Sequence, residues 1–343
     1  MKGKGRKERE TMIQKKEESK EKEESKKKEE SKEKKGQQEK RLAVYDRNLE
    51  LEAYRFQGIM QRFPNHFHEF YVIGYIEKGK RHLSCCNREY VVSAGDMVLF
   101  NPYENHTCEQ INQQPLDYRA LNIPVETMQR IAREITGQDG AVVFRENVVV
   151  QAPQVEELRY LHQLVLDTKM NCIQNTIGEA TEDEAEATKT VANETGECLK
   201  NIGAIGRREL EKEELFYFFM ENMISIYARP QMEESQNITN PQVSRACSYM
   251  EAHYADSLLL ADICQAAGLG KYTLLRNFTT QKGVTPYQYL ETVRVNHARE
   301  ALRHGKTPLQ AALESGFSDQ SHFTHFFKNF IGLTPGQYQS LFR

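Results

Sequence analysis

No stretch of this 343-residue sequence approaches the roughly eighteen consecutive apolar residues of a membrane-spanning helix. The first residues also lack the apolar run of a secretory signal, so neither a membrane nor a secreted class is expected. Cysteine is sparse: seven residues, an odd number, scattered except for the adjacent Cys85-Cys86 and without a CxxC spacing. That usage implies neither a disulfide framework nor a zinc knuckle, and points to free thiols in the cytoplasm. A strong charge of one sign is missing too, with 46 Lys and Arg against 49 Asp and Glu. The length allows two folded domains plus unstructured extras.

Met1 to Arg41 lacks apolar surface, being almost entirely Lys, Glu, Ser and Gln, with seventeen basic residues against eleven acidic ones. Such a segment cannot bury enough to offset the entropy of ordering, so a disordered tail or a lone exposed helix is expected over 1–41.

What the chain does contain is a pattern written twice near its end. Gly283, Thr285, Pro286, Gln288 and Tyr289 recur 49 residues later (332 − 283) as Gly332, Thr334, Pro335, Gln337 and Tyr338. Leu274 and Phe278 recur at that offset as Phe323 and Phe327, and Cys264 and Gly268 at one residue less as Ala312 and Gly316. Each copy predicts two short helices around a glycine-containing turn. In the first, Leu260, Ile263 and Ala267 share a face and Leu274 and Phe278 resume it after Gly268; in the second, Leu309, Ala312 and Leu313 precede Gly316, and Phe323, Phe326 and Phe327 follow. This is the helix-turn-helix plan, whose second helix enters the DNA major groove.

Helix starts are marked three times by Thr-Pro-x-Gln, at Thr285, Thr307 and Thr334, a capping box with proline at the first helical position. Gly305 then stops the connecting helix that begins at Pro286. Ending at His304, that helix would span roughly 28 Å at 1.5 Å per residue, near the ~34 Å between successive major-groove faces. From Val243 to Arg343 there are ten basic and seven acidic residues, a mild excess of three, with five histidines in addition.

The words Ala267-Gly268-Leu269, Leu274-Leu275-Arg276-Asn277-Phe278, Gly283-Val284-Thr285-Pro286, Ala312-Leu313-Glu314-Ser315-Gly316-Phe317, Phe327-Lys328 and Gly332-Leu333-Thr334-Pro335 make this segment similar to the DNA-binding domain of the AraC/XylS family of bacterial transcription regulators. The resemblance runs from about Val243 to the end. Positions facing away from the apolar stripe are the DNA-contact candidates: Lys271, Tyr272, Arg276 and Asn277 on the first reading helix; Gln320, Ser321, His322, Thr324, His325 and Lys328 on the second. Arg276 stands out because a guanidinium can grip guanine bidentately or bind phosphate. The family prefers arginine at both equivalent positions, and here the second is His325.

Upstream, Phe70–Ile76, Arg81–Cys86, Glu89–Val92, Asp96–Phe100, His106–Ile111 and Asp117–Ile123 are short apolar runs between turn signals, predicting strands of a small barrel or jelly roll over 42–150. His66-Phe67-His68-Glu69 and the stretch Gly95 to His106 resemble the two motifs of a cupin barrel, as in the effector-binding arm of AraC-type regulators. The resemblance implies an effector pocket, with His66, His68, Tyr71, Tyr75, Arg81, Tyr103 and His106 as candidate lining. His66, His68 and His106, with Glu69, are also of the types that hold a divalent metal. Glu69, however, follows His68 at once and would point to the opposite side of a regular strand. No cofactor is assigned.

Apolar residues at Val155, Leu158, Leu161, His162 and Val165, and again at Leu210, Tyr217, Phe218, Met220 and Ile224, predict two helices over 151–230, which resemble the family's dimerisation hairpin. Between them, Asn171 to Gly206 carries seven acidic residues and two basic, expected as a flexible insertion. A linker is expected over 231–242, with the DNA-binding domain over 243–343.

The fold class expected is α+β: a cupin-like barrel or jelly roll, a helical hairpin and an all-α domain with two helix-turn-helix units. The function expected is a cytoplasmic, non-enzymatic, dimeric regulator whose partners are promoter DNA, a small-molecule effector and RNA polymerase. A metal-dependent cupin enzyme or metal sensor with a DNA-binding appendage is the alternative from another class, and a ligand-independent regulator a third.

Overall fold

The structure is a computed structural model that describes residues 39–178, 191–230 and 240–342, with backbone alone for 168–178, 191–207 and 229–230. Most of the tail, the middle of the acidic insertion and most of the linker lie outside these residues. The helices reach further into the expected insertion than the sequence suggested, to Gly178 from one side and from Val191 on the other.

The N-terminal part is built from β1 (Lys40–Asp46), β2 (Leu51–Ile59), β3 (Phe63–His66), β4 (Phe70–Lys78), β5 (Lys80–Cys85), β6 (Arg88–Ser93), β7 (Met97–Phe100), β8 (His106–Gln110), β9 (Leu116–Pro124), β10 (Val142–Phe144) and β11 (Val148–Val149). They form a six-stranded sheet of order β1-β2-β9-β4-β7-β11 and a four-stranded sheet of order β3-β8-β5-β6. This is a two-sheet sandwich, not a closed barrel. Strands β4 and β9 pair antiparallel along their length, from Phe70↔Pro124 to Lys78↔Asp117.

Side chains on a strand alternate faces, and β4 is apolar on both. Phe70, Val72 and Ile76 join Tyr54, Phe56, Leu83, Val92, Val98 and Leu116 in the core between the sheets. Tyr71, Ile73 and Tyr75 face the other way, into a second core closed by helices α1 (Val125–Thr136), α2 (Val155–Gly178) and α3 (Val191–Tyr227). Strand β12 (Ala228–Pro230) then returns to pair with β10.

The stripe expected on α2 is buried, with Leu158, Leu161 and His162 fully enclosed. On α3 the expected face is buried in part: Met220 is inside and Tyr217 and Ile224 pack half-buried on the same core, while Leu210 and Phe218 are exposed and Lys212, Phe216, Phe219 and Met223 are buried instead. The reason is an ion cluster that the apolar pattern could not show. The Lys212 ammonium sits 2.6 Å from Asp46 and 2.5 Å from Glu209, burying a lysine where a hydrophobic residue would be expected.

The C-terminal part contains α4 (Pro241–Ala252), α5 (Leu260–Ala267), α6 (Lys271–Lys282), α7 (Pro286–Arg303), α8 (Pro308–Glu314), α9 (Gln320–Ile331) and α10 (Pro335–Gln339). The three threonine boxes cap α7, α8 and α10, each hydroxyl accepting from the glutamine N–H three residues on. Gly268, Gly283, Gly316 and Gly332 all take positive φ. On α8, Ala311 and Ala312 are buried while Leu309 and Leu313 are exposed, so its inward face is one of small residues that let α9 approach.

The two helix-turn-helix halves have separate cores. The first buries Ile263, Ala267, Leu274 and Phe278 with α4 residues Val243, Ala246 and Met250, and takes in Phe67 from the sandwich. The second, with Ala311, Ala312, Phe323, Phe327 and Phe330, is continuous with the core between the sheets.

Candidate ligand cavity and nucleic-acid interface

Between the sheets lies a cavity of about 110 Å³, walled by apolar side chains that include Phe56, Phe70, Val72, Ile76, Val98 and Ala120. Its polar end is formed by His66, His68 and His106, and Phe330 and Ile331 from the end of α9 complete the wall. The structure brings the three expected histidines together: the rings of His66 and His68 lie 4.7 Å apart, and those of His66 and His106 4.5 Å apart. Phe100 stacks on His106 at 4.1 Å, Phe70 on His68 at 4.6 Å, and Phe330 meets the edge of His66 at 5.3 Å.

The protonation of this cluster follows from its partners. His66 Nδ1 lies 2.6 Å from the Pro64 carbonyl and His106 Nδ1 3.0 Å from the Glu104 carbonyl. A carbonyl only accepts, so each Nδ1 carries the hydrogen and each Nε2 keeps its lone pair. Burial pushes His66 down to about 4 and His106 to about 3, and lowers His68 as well, leaving three neutral imidazoles at neutral pH. One ring nitrogen from each falls within 4.8 Å of the other two. Glu69 is not part of that group.

The other expected lining residues are not brought to the cavity. Tyr71 and Tyr75 lie on the outer face of β4, Tyr71 donating its hydroxyl to the Val142 carbonyl 2.7 Å away. Arg81 is fully buried and donates to the carbonyls of Lys80, Gln114 and Ile59, tying the β5 start to neighbouring loops. Tyr103 is 60% exposed at the sandwich rim.

Of the DNA-contact candidates, Lys271, Tyr272, Arg276, Gln320, Ser321, His322, His325 and Lys328 are exposed, and Asn277 and Thr324 half-buried. Asp319 caps α9 by accepting from the His322 N–H at 2.8 Å. The connecting helix α7 has 18 residues, about 27 Å at 1.5 Å per residue.

Sequence reasoning missed how the sandwich holds both reading helices by their C-terminal ends, where the last helix carbonyls can still accept hydrogen bonds. Asn65 donates to the Gly283 carbonyl at 2.7 Å and Asn105 to that of Lys282, both at the end of α6. Gln61 donates to the carbonyls of Lys328 and Asn329 at 3.1 and 3.2 Å, and Arg41 to that of Gly332, at the end of α9. Gly332 has a packing role besides: a Cβ there would stand 2.6 Å from the Phe56 ring.

Comparison with known proteins agrees with this two-part architecture. An AraC-like ligand binding domain family matches residues 48–188, and a helix-turn-helix domain family matches residues 263–340. The uncharacterized HTH-type transcriptional regulator YbfI of Bacillus subtilis (strain 168) is 40% identical over 277 residues, covering 81% of this chain and 87% of the relative. The HTH-type transcriptional activator RhaS of Klebsiella pneumoniae (strain 342) is 23% identical over 275 residues, covering 80% and 86%. Among solved structures, an apo ToxT variant from Vibrio cholerae aligns over 88% of this chain and 100% of its own, with 14% identity and a TM-score of 0.47. Two matched domains in this order, and a relative of 40% identity aligned along most of both chains, place the protein in the AraC family of HTH-type transcriptional regulators.

Proposed function

We propose that this regulator is switched by a small, largely apolar effector that enters the cavity between the sheets and presses on the second reading helix. The observation that carries this reading is the shared wall: Phe330 and Ile331 of α9 line the same cavity as His66, His68 and His106. A ligand there touches a DNA-reading helix directly, so it favours one position of that helix over another, which is the condition for an effector to change DNA affinity. Three neutral imidazoles presenting lone pairs favour a ligand with a hydrogen-bond donor at one end, such as a hydroxyl, an amine or a protonated acid. Lys271, Tyr272, Arg276 and Asn277 on α6 and Gln320, Ser321, His322, Thr324, His325 and Lys328 on α9 are assigned to the duplex. Exposed Tyr160, Leu210 and Phe218 on α2 and α3 support a homodimer joined through that hairpin. RNA polymerase contact at the promoter, a cytoplasmic location and the absence of catalysis complete the proposal.

The experiment is a genomic footprint to obtain the operator, followed by a screen of small apolar alcohols, amines and acids for a thermal shift and a change in operator affinity. A compound that does both in the wild type, and loses its effect on DNA in Phe330→Ala, supports the reading. If no compound alters either property, the ligand-independent regulator is left standing.

The convergence of three ring nitrogens favours a second reading, in which His66, His68 and His106 hold a divalent metal and the protein is a metal sensor. Backbone-anchored Nδ1 atoms with free Nε2 lone pairs are the usual orientation of metal-ligating histidines. Metal analysis of the purified protein, and operator affinity before and after chelation, separate the two readings.

A further inference from the structure

A second cluster of donor atoms lies outside the cavity and the reading helices. Cys85 ends β5, and Cys86 with Asn87 forms the two-residue turn into β6, across which Cys85 pairs with Arg88. Neighbouring side chains on a strand point to opposite faces, which would separate the two sulfurs. Here Cys86 and Asn87 take φ of +50° and +62°, the left-handed pair of a tight hairpin turn. Cys86 Sγ is thereby 3.9 Å from Cys85 Sγ. Two sulfurs bound at about 2.3 Å to one tetrahedral ion stand about 3.8 Å apart, so the pair is already at chelating distance.

A carboxylate completes the set. Glu104 offers an oxygen within 4.8 Å of both sulfurs. Its carboxylate is held by the Asn101 N–H at 2.9 Å, the Asn101 amide at 2.9 Å and the Asn147 amide at 2.8 Å. Such outer partners orient a ligand carboxylate without using all its lone pairs. Cys86 and Glu104 also line a polar cavity of about 660 Å³ between the sandwich and the end of α6, with Asn65, Asn105 and Lys282.

We infer that Cys85, Cys86 and Glu104 form a site for one thiophilic divalent cation of the Zn²⁺ or Cd²⁺ kind, with a fourth position open to this cavity. Binding displaces one proton from each thiol, so the ion meets two thiolates and one carboxylate. The site has a path to the DNA-binding part: the Cys86 N–H donates to the Asn105 carbonyl at 3.3 Å, and the Asn105 side chain grips Lys282 at the end of α6.

The test uses reduced, metal-stripped, full-length protein titrated with Cd²⁺ and followed by thiolate-to-cadmium charge-transfer absorption, which histidine sites do not produce. One equivalent per chain is expected to develop the band of two thiolates. Cys86→Ser, a change at an exposed turn position, is expected to remove most of that band and weaken Cd²⁺ by at least about tenfold in competition with a chromophoric chelator. Cys108→Ser is expected to leave both unchanged. Absence of the band in the wild type, a band of one thiolate only, or a Cys86→Ser protein that binds as the wild type does would overturn the assignment. So would a Cys85-Cys86 disulfide found by mass spectrometry in protein handled under reduction.

Discussion

Arg299 of α7 donates to Glu52 of β2 across 2.7 Å, with both side chains almost fully buried, and so ties the helix between the two helix-turn-helix units to the sandwich. The same Glu52 oxygen accepts from the Tyr338 hydroxyl at 2.6 Å, and its other oxygen from Tyr54 at 3.0 Å. The guanidinium also lies 4.2 Å over the Phe70 ring, a cation–π contact beside the ligand cavity. Arg299→Ala leaves a buried carboxylate unpaired and is expected to cost about 3–5 kcal/mol in urea unfolding. Replacing both partners, Arg299→Met with Glu52→Leu, is expected to recover only part of that loss, because the buried Tyr54 and Tyr338 hydroxyls then lose their acceptor. A single variant that costs under about 1 kcal/mol would mean that this pair does not hold the two parts together.

Arg276 makes no hydrogen bond or ion pair among the described residues and projects from the exposed face of α6. Arg276→Ala is therefore expected to leave the melting temperature unchanged while weakening the operator by about 10- to 100-fold, the range of one lost bidentate base contact. His325→Arg, with the residue type the family prefers there, is expected to tighten it. Both are read by fluorescence anisotropy, and unchanged affinity in Arg276→Ala would remove this residue from the interface.

Stability is expected to fall on mild acidification. Burial pushes His66 and His162 down to about 4 and His106 to about 3, against about 6.5 in an unfolded chain. Protons therefore bind the unfolded chain first. Stability is complete above about pH 6.5 and is lost as pH falls from there toward the folded values, by roughly 2 kcal/mol per histidine at pH 5. Thermal melts between about pH 7.5 and 5 check the slope. The double variant His66→Gln and His106→Gln should flatten it; a profile as steep as the wild type's would place the acid sensitivity elsewhere.

Much of the fold could be read from the chain because its signals are local. The doubled Gly-x-Thr-Pro pattern, the three threonine boxes and the strand-length apolar runs each act within a few residues, and all reappear in the structure. The cavity was half legible. His66, His68 and His106 converge as their motifs suggested, but Tyr71 and Tyr75 fall behind the sheet, because β4 is apolar on both faces and hydrophobicity cannot say which one looks inward. Lys212 hid the buried face of α3 for a related reason: its partner Asp46 is 166 residues away. The polar contacts that help to join the two parts, such as Glu52 with Arg299 and Asn65 with Gly283, link residues 247 and 218 positions apart, and nothing near either partner announces the other.

The most direct test of coupling between cavity and reading helix needs no effector. Ala120 lines the cavity from β9, in the six-stranded sheet, so Ala120→Leu fills part of the space that a ligand would take. Backbone hydrogen exchange of residues 320–333 is then compared between wild type and variant in the intact chain. Faster exchange is expected at the end of α9, around Phe330 to Gly332, with α4 and α5 unchanged. Identical exchange along α9 in the two proteins would contradict the coupling.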